Sequence, residues 1–138
     1  MTEPLYTRDI LRLAASIPGQ REFDKIDGAE VRSPTCGSRM VMRVSLDADG
    51  RVATVEQAVE ACAFGQASAA LVGNHANGLD RAEAEAALMR VEAWLDGAGD
   101  VPWPEMAVLE PARARRGRHG AILLPFRALV ATIARASG

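Results

Sequence analysis

The first half of the chain passes from a helical to a strand-like pattern of apolar residues. From Thr7, which can cap a helix, apolar residues recur at helical spacing until Pro18-Gly19 interrupts them. Between positions 40 and 46 every second residue is Met, Val or Leu, as in a half-buried strand. The turn residues Asp47–Gly50 and the β-type pattern after them predict a hairpin, and a further short strand is predicted over 29–33.

The second half of the chain is predicted to be mainly helical. Small and apolar residues after Cys62 share one helical face, and Gly73-Asn74 is predicted to end this helix. Asp80 can cap a further helix, which is expected to end at Gly97. Residues 98–120 contain three prolines and are predicted to form an irregular connection.

The last helix is predicted over 121–136, and this completes the fold prediction. Its Pro125 is expected to fit only in the first turn, because proline has no backbone N–H. The order of helix, antiparallel sheet and further helices predicts an α+β fold, with a two- to three-stranded antiparallel sheet packed against several helices. A chain of 138 residues, 49% of them apolar, is expected to form one domain spanning 1–138.

Composition narrows the classes of function. Sixteen basic and 18 acidic residues give a net charge of −2, and only 4% of residues are aromatic, so neither charge nor base stacking favours nucleic-acid binding. The apolar runs are shorter than a membrane span, and the N-terminus lacks the apolar core of a signal peptide. We therefore expect a soluble, cytoplasmic protein that binds neither nucleic acid nor a membrane.

The candidate chemistry lies in two cysteines, Cys36 and Cys62. They can form a structural disulfide, inert buried thiols, redox thiols or metal ligands. A reducing cytoplasm disfavours the disulfide, and their spacing is not that of a CxxC motif. Spacing alone favours inert thiols without excluding a metal or redox site, since buried cysteine is common.

The surroundings of both cysteines resemble the U-type iron–sulfur cluster assembly scaffolds (IscU, SufU and the N-terminal domain of NifU). "PTCG" at 34–37 precedes a strand, and Cys62 opens a helix that contains Ala67-Ser68 at the offset found in the family. "RHGAILLPFRAL" at 118–129 is similar to the segment that carries the family's third cysteine. The long stretch before that segment is like the SufU branch, and the resemblance covers about residues 26–133.

This resemblance implies a SufE/NifU-like fold and a function without catalytic turnover. Such a scaffold holds iron or a nascent [2Fe–2S] cluster, or zinc, at a cysteine-based site and transfers the cluster to apo acceptor proteins. The sulfur would come from a cysteine desulfurase as persulfide. The protein is therefore not expected to be an enzyme.

Two positions depart from the family pattern. The third cysteine is replaced by Ala121, and the aspartate that follows the first "CG" is replaced by Ser38. Soft thiolates suit zinc and iron, and the N–H groups at a helix start favour a thiolate at Cys62, but two thiolates make an incomplete site. His119, two residues before Ala121, is the candidate for a third ligand, against the alternative of a solvated loop histidine.

Other polar residues are weaker candidates. Glu60 could supply an oxygen ligand but is more commonly just solvated, and His75 is expected to be exposed after a helix end. Trp94 and Trp103 are expected to pack in or against the core. A dense group of basic residues is either a solvated loop, the favoured interpretation, or a docking surface for an acidic partner such as a desulfurase: Arg113, Arg115, Arg116 and Arg118.

Three functions remain open at this point. The leading one is a scaffold whose metal site consists of Cys36, Cys62 and His119. The second is a degenerate paralogue that has lost the cluster and acts by protein contact, for example with a cysteine desulfurase. A third, an enzyme with Cys36 as nucleophile, has no base placed beside that cysteine.

Overall fold

The computed structural model describes residues 7–33 and 37–137. Within these residues the chain forms one helix, a three-stranded sheet and three further helices, with short 3₁₀ segments between them. The elements are α1 (Arg8–Ala14), β1 (Glu30–Arg32), β2 (Arg39–Leu46), β3 (Val52–Glu60), α2 (Ala63–His75), α3 (Arg81–Leu95) and α4 (His119–Ser137). The 3₁₀ segments are Phe23–Lys25, Pro104–Ala112 and Arg116–Arg118.

The sheet is antiparallel with the order β1-β2-β3, as the alternating pattern predicts. Val44 pairs with Val55, and a register irregularity follows at Ser45/Leu46 before the Asp47–Gly50 turn. At the other end of the sheet Arg39 pairs with both Arg32 and Glu60. The α+β fold with a small antiparallel sheet is therefore confirmed.

The two faces of the sheet are covered by different parts of the chain. Met40 and Met42 point into the main core, which the helices fill from the other side. Val41 and Ala58 lie on the opposite face, where Ile26 and Phe23 cover them. The alternation in β2 thus places successive side chains into two separate apolar layers.

The helices pack on one another as well as on the sheet. Thr7 caps α1, and its side chain accepts a hydrogen bond from the Ile10 N–H. Asp80 and Glu83 form a complete capping box at the start of α3, which agrees with the predicted cap. Trp94 is buried at the end of α3, in line with the expectation from its size.

Two predicted boundaries in the second half are wrong, and the predicted irregular connection is partly ordered. α2 continues past Gly73-Asn74 to His75, because Gly73 does not adopt a positive φ and the Ala76 N–H bonds to the Val72 carbonyl at 2.8 Å. The predicted irregular connection contains the two 3₁₀ segments 104–112 and 116–118. α4 begins at His119, before the predicted start.

Pro125 is the seventh residue of α4 and lies beyond its first turn, in contrast to the prediction. The helix continues because one missing N–H removes a single backbone bond, the one that would reach the Ala121 carbonyl. α4 is by length and composition apolar enough to cross a membrane, but half of its apolar window is buried inside the protein. Its apolar residues are those of a core helix.

Candidate functional site

Cys62 lies at the junction between the sheet and α2. β3 ends at Glu60, and Cys62 is the N-cap residue of α2 with extended φ and ψ of −66° and 172°. Its carbonyl accepts the Gln66 N–H at 2.9 Å, whereas its side chain caps no backbone N–H. The thiol is free and half-buried. The predicted helix start at Cys62 is confirmed.

Cys36 falls outside the described residues. The residues on either side of that short segment, Ser33 and Gly37, lie at the end of the sheet where β3 leads into Cys62. The Ser33 N–H donates to the Ser38 carbonyl at 2.9 Å and closes this connection between β1 and β2. The backbone on both sides of Cys36 is thus anchored at the Cys62 end.

Ser38 and Ala121 occupy the two positions where the chain departs from the resembling family. Ser38 is almost fully buried, and Ala121 is completely buried in the first turns of α4. A Cβ added to Gly65 would lie 3.2 Å from both the Cβ and the carbonyl oxygen of Ala121. Since Gly65 is one helical turn after Cys62, Ala121 faces the first turn of α2.

A buried hydrogen bond fixes this crossing of α2 and α4. The Ser68 hydroxyl donates to the Ile122 carbonyl at 2.6 Å, and both residues are fully buried. Ala67 is also fully buried beside it. The "AS" pair at 67–68 therefore has a structural explanation: a small side chain and a hydroxyl allow the two helices to approach closely.

His119 is the first residue of α4 and is half-buried. Its Nε2 lies 2.9 Å from the Arg113 carbonyl oxygen. A carbonyl can only accept, so Nε2 carries the hydrogen, and in the neutral imidazole Nδ1 has a lone pair for another contact. This arrangement is typical of a metal-binding histidine, whose second nitrogen donates to a backbone carbonyl. His119 is thus a tethered side chain and not a freely solvated one.

The carboxylate of Glu60 is engaged elsewhere. Arg39 Nη2 lies 3.0 Å from Glu60 Oε2, while Nη1 of the same guanidinium lies 2.8 Å from Glu30 Oε1. The guanidinium also stacks over the Phe23 ring, 3.9 Å from its centroid. The hydrogen bond from Arg39 holds the pKa of Glu30 below its ordinary value, and the same bond raises the pKa of Arg39.

His75 lies at the opposite end of α2 and is not part of this site. Its ring stacks on Trp103 with 4.5 Å between centroids, and Trp103 in turn stacks on Phe126 at 5.4 Å. Its Nε2 lies 3.0 Å from a carboxylate oxygen of Glu105. The expectation of an exposed histidine after the helix end is wrong, because the ring is held between two partners.

The four arginines before α4 differ in their contacts and in their exposure. Arg113 donates to the Trp94 carbonyl at 2.8 Å and forms an ion pair with Glu110, so it belongs to the packing of α3. Arg115 and Arg116 are exposed, and Arg118 is half-buried. Within the described part of the chain, none of these last three arginines forms an ion pair, and they leave a positive surface directly before His119.

The described residues alone do not complete a metal site. Among residues 7–33 and 37–137 there is no group of three or more His, Cys, Asp and Glu side chains that could hold a metal ion. Cys62 and the Nδ1 atom of His119 are the soft and borderline donors that zinc and iron prefer. Both residues could be identified from the sequence, whereas the contributions of Gly65 and Arg39 to the geometry were not predicted. The hint for Gly65 was a glycine inside a helical pattern.

An α+β domain in which a free cysteine joins the sheet to a helix agrees with the resemblance to U-type scaffolds, and comparisons with known proteins support this class. The NifU-like N terminal domain family matches residues 11–113 of the chain. The chain therefore belongs to this family of U-type scaffold proteins. No curated protein sequence matches the chain.

Solved structures agree with this assignment. A nitrogen-fixing NifU-like protein (N-terminal) from Brucella abortus is 28% identical, with a TM-score of 0.84 over 96% of this chain and 94% of that one. A protein assigned as an iron–sulfur cluster assembly scaffold for the SUF system, from Fervidobacterium islandicum AW-1, is 20% identical. Its TM-score is 0.77 over 94% of this chain and 96% of that one. The second likeness supports the fold alone.

Proposed function

We propose that this protein is an iron–sulfur cluster assembly scaffold that binds iron or a nascent [2Fe–2S] cluster, or zinc, and passes it to apo acceptor proteins. Family membership supports the general role in cluster assembly. The observation that carries the proposal for this chain is the free, half-buried Cys62 at the start of α2, one turn before Gly65, where α2 packs closely against Ala121 of α4. The protein acts without catalytic turnover, in the cytoplasm.

The ligands proposed for the cargo are Cys36, Cys62 and His119. Cys62 supplies a thiolate, the form of cysteine that binds zinc and iron. His119 supplies Nδ1, because its Nε2 is tethered to the Arg113 carbonyl. The backbone hydrogen bond between Ser33 and Ser38, one on each side of Cys36, supports the assignment of Cys36 as the second thiolate.

A site with two thiolates holds its cargo less firmly than one with three. Clusters are usually held by four cysteines and structural zinc by four ligands, so Cys36, Cys62 and His119 leave one position open. An open position lets an incoming thiolate replace a resident ligand. The expected consequence is easy transfer of the cluster to an apo protein.

The proposed partners are a cysteine desulfurase and apo iron–sulfur acceptors. The surface formed by Arg115, Arg116 and Arg118 supports an acidic docking partner, since these arginines form no ion pair within the described residues and lie next to the proposed ligand His119. The second candidate function, a paralogue that acts by contact alone, is favoured by Ala121 at the position of the third cysteine.

Anaerobic reconstitution distinguishes these two functions. The protein is incubated with ferrous iron and sulfide, and visible absorption and metal content are measured after desalting. The scaffold predicts bound metal that falls by more than about tenfold in Cys36→Ser and Cys62→Ser, and by less in His119→Ala. His75→Ala is the matched control, because His75 lies at the other end of α2.

The contact-only function predicts a different outcome. The wild-type protein would then bind no metal above the level of the Cys62→Ser variant, although circular dichroism shows it to be folded. A retained metal content in His119→Ala would remove that residue from the site. Bound zinc alone does not identify the native metal, since zinc occupies many thiolate sites.

A further inference from the structure

The end of β3 is held by one arginine that bridges all three strands. Arg39 is the first residue of β2 and pairs in register with Arg32 of β1 and Glu60 of β3. Its guanidinium contacts Glu30 on one side at 2.8 Å and Glu60 on the other at 3.0 Å. Its Nε also lies 3.3 Å from the same oxygen, Glu60 Oε2, so two N–H groups of the guanidinium donate to one carboxylate oxygen of β3.

The position of this guanidinium is itself fixed. The Phe23 ring lies under it at 3.9 Å, and the side chain of Arg39 is only 29% exposed. A planar guanidinium forms several directed hydrogen bonds at once, which a lysine ammonium cannot match in geometry. The last residue of β3 is thus tied to a side chain that has little freedom to move.

These contacts of Arg39 also restrain the chain near Cys62, because Glu60 lies close to Cys62 in the sequence. Glu60 ends β3, and only Ala61 separates it from Cys62, the N-cap residue of α2. The direction in which the chain leaves the sheet is therefore set within two residues of the cysteine. Exposed ion pairs contribute little to the free energy of unfolding of the whole protein. We therefore expect the loss of the Arg39–Glu60 contact to change the chain near Cys62 and to leave the overall stability nearly unchanged.

We propose that Arg39 is a positioning residue for the Cys62 thiol, acting through Glu60. Contacts with Glu30 and Phe23 fix the guanidinium of Arg39, which in turn holds the end of β3. This keeps the Cys62 thiol near the crossing of α2 and α4. This inference rests on the proposed function only for the identity of the cargo. The restraint on Cys62 is testable without any metal.

The test compares Arg39→Gln with Arg21→Gln. Arg21 is a suitable control because it forms an exposed ion pair with Glu56 of the same strand, at 3.2 Å, away from Cys62. Alkylation of Cys62 is measured in metal-free protein that also carries Cys36→Ser, so that a single thiol reacts. The rate is recorded against pH, together with the melting temperature.

Loss of the restraint is expected to raise the alkylation rate of Cys62 several-fold in Arg39→Gln and to leave it unchanged in Arg21→Gln. The alkylation rate should rise equally in Glu60→Gln. It should rise no further in the double variant Arg39→Gln/Glu60→Gln, because both substitutions remove the same interaction. In protein with both cysteines, zinc affinity measured by chelator competition should fall by about tenfold in Arg39→Gln.

Other outcomes separate this inference from the proposed function. An unchanged alkylation rate, an equal effect of Arg21→Gln, or additive effects in the double variant would overturn it. A faster rate that only follows a lower melting temperature would do the same, because it would mean general unfolding. If the wild type has no zinc affinity but Arg39→Gln still speeds alkylation, the proposed function fails and the positioning role stands.

Discussion

At the residue scale, Ala121 matters for the candidate site as much as Cys62 does. Ala121 is completely buried, and its Cβ would be 3.2 Å from a Cβ added to Gly65. The family's third ligand position is therefore still directed at the first turn of α2, although alanine offers no ligand atom.

The variant Ala121→Cys is expected to bind zinc about tenfold more tightly than the wild type, because a third thiolate would face Cys62 across the crossing of α2 and α4. Ala128→Cys is the matched control, since Ala128 is equally buried in the same helix but two turns further on. Chelator competition measures both affinities. An equal gain in both variants, or none in either, would contradict the placement of Ala121.

The sequence identified Cys62 and His119 but not what holds them. Cys62 could be placed because an N-cap position follows from the switch between strand and helix patterns. The tether from His119 to the Arg113 carbonyl depends on the 3₁₀ segment between them, which no periodicity predicted. Long-range contacts such as Arg39 with Glu60 require the sheet register, which local patterns specify only once the turns are known.

At the element scale, the site depends on the close approach of α2 and α4. Ser68 donates to the Ile122 carbonyl at this crossing, and Gly65 lies where a side chain would meet α4. Pro125 removes the N–H that would otherwise bond to the Ala121 carbonyl. The start of α4 was predicted too late because this proline was expected in a first turn, whereas it is tolerated further inside.

The variant Gly65→Ala is expected to lower both stability and zinc affinity. Alanine would gain about 1 kcal/mol in helix propensity. However, its Cβ would lie 2.7 Å from the Ala61 Cβ and 3.2 Å from Ala121. Such overpacking typically costs about 1–3 kcal/mol and exceeds the gain. Separation of α2 from α4 would also move Cys62 away from His119.

Gly117→Ala provides the control, because no atom lies within 4 Å of its added Cβ. Urea unfolding and chelator competition measure the two effects. If Gly65→Ala is as stable as Gly117→Ala and binds zinc equally well, the crossing does not shape the site.

At the scale of the whole molecule, the fold was largely predictable and the site only in part. Alternation in β2, the Asp47–Gly50 turn and the capping box at Asp80 are local signals, and together they specify the order of elements. The resemblance around the cysteines indicated the family, which the match over residues 11–113 confirms. The distance between two thiols that are far apart in the sequence depends on the tertiary structure, and no local sequence pattern specifies it.

The net charge of −2 conceals an uneven distribution of charge. Arg115, Arg116 and Arg118 form a positive surface before α4, whereas other arginines such as Arg39 and Arg51 are neutralised by acidic neighbours. This contrast agrees with the proposed role of the arginine surface in docking an acidic partner.

X-ray absorption at the zinc edge decides whether Cys36 and Cys62 bind the same metal ion. We expect the zinc-loaded protein to show two sulfur ligands at about 2.3 Å and at least one nitrogen or oxygen ligand at about 2.0–2.1 Å. The imidazole contribution should disappear in His119→Ala and persist in His75→Ala. A coordination shell without sulfur, or one with a single sulfur, would contradict the claim that Cys36 and Cys62 share one metal site.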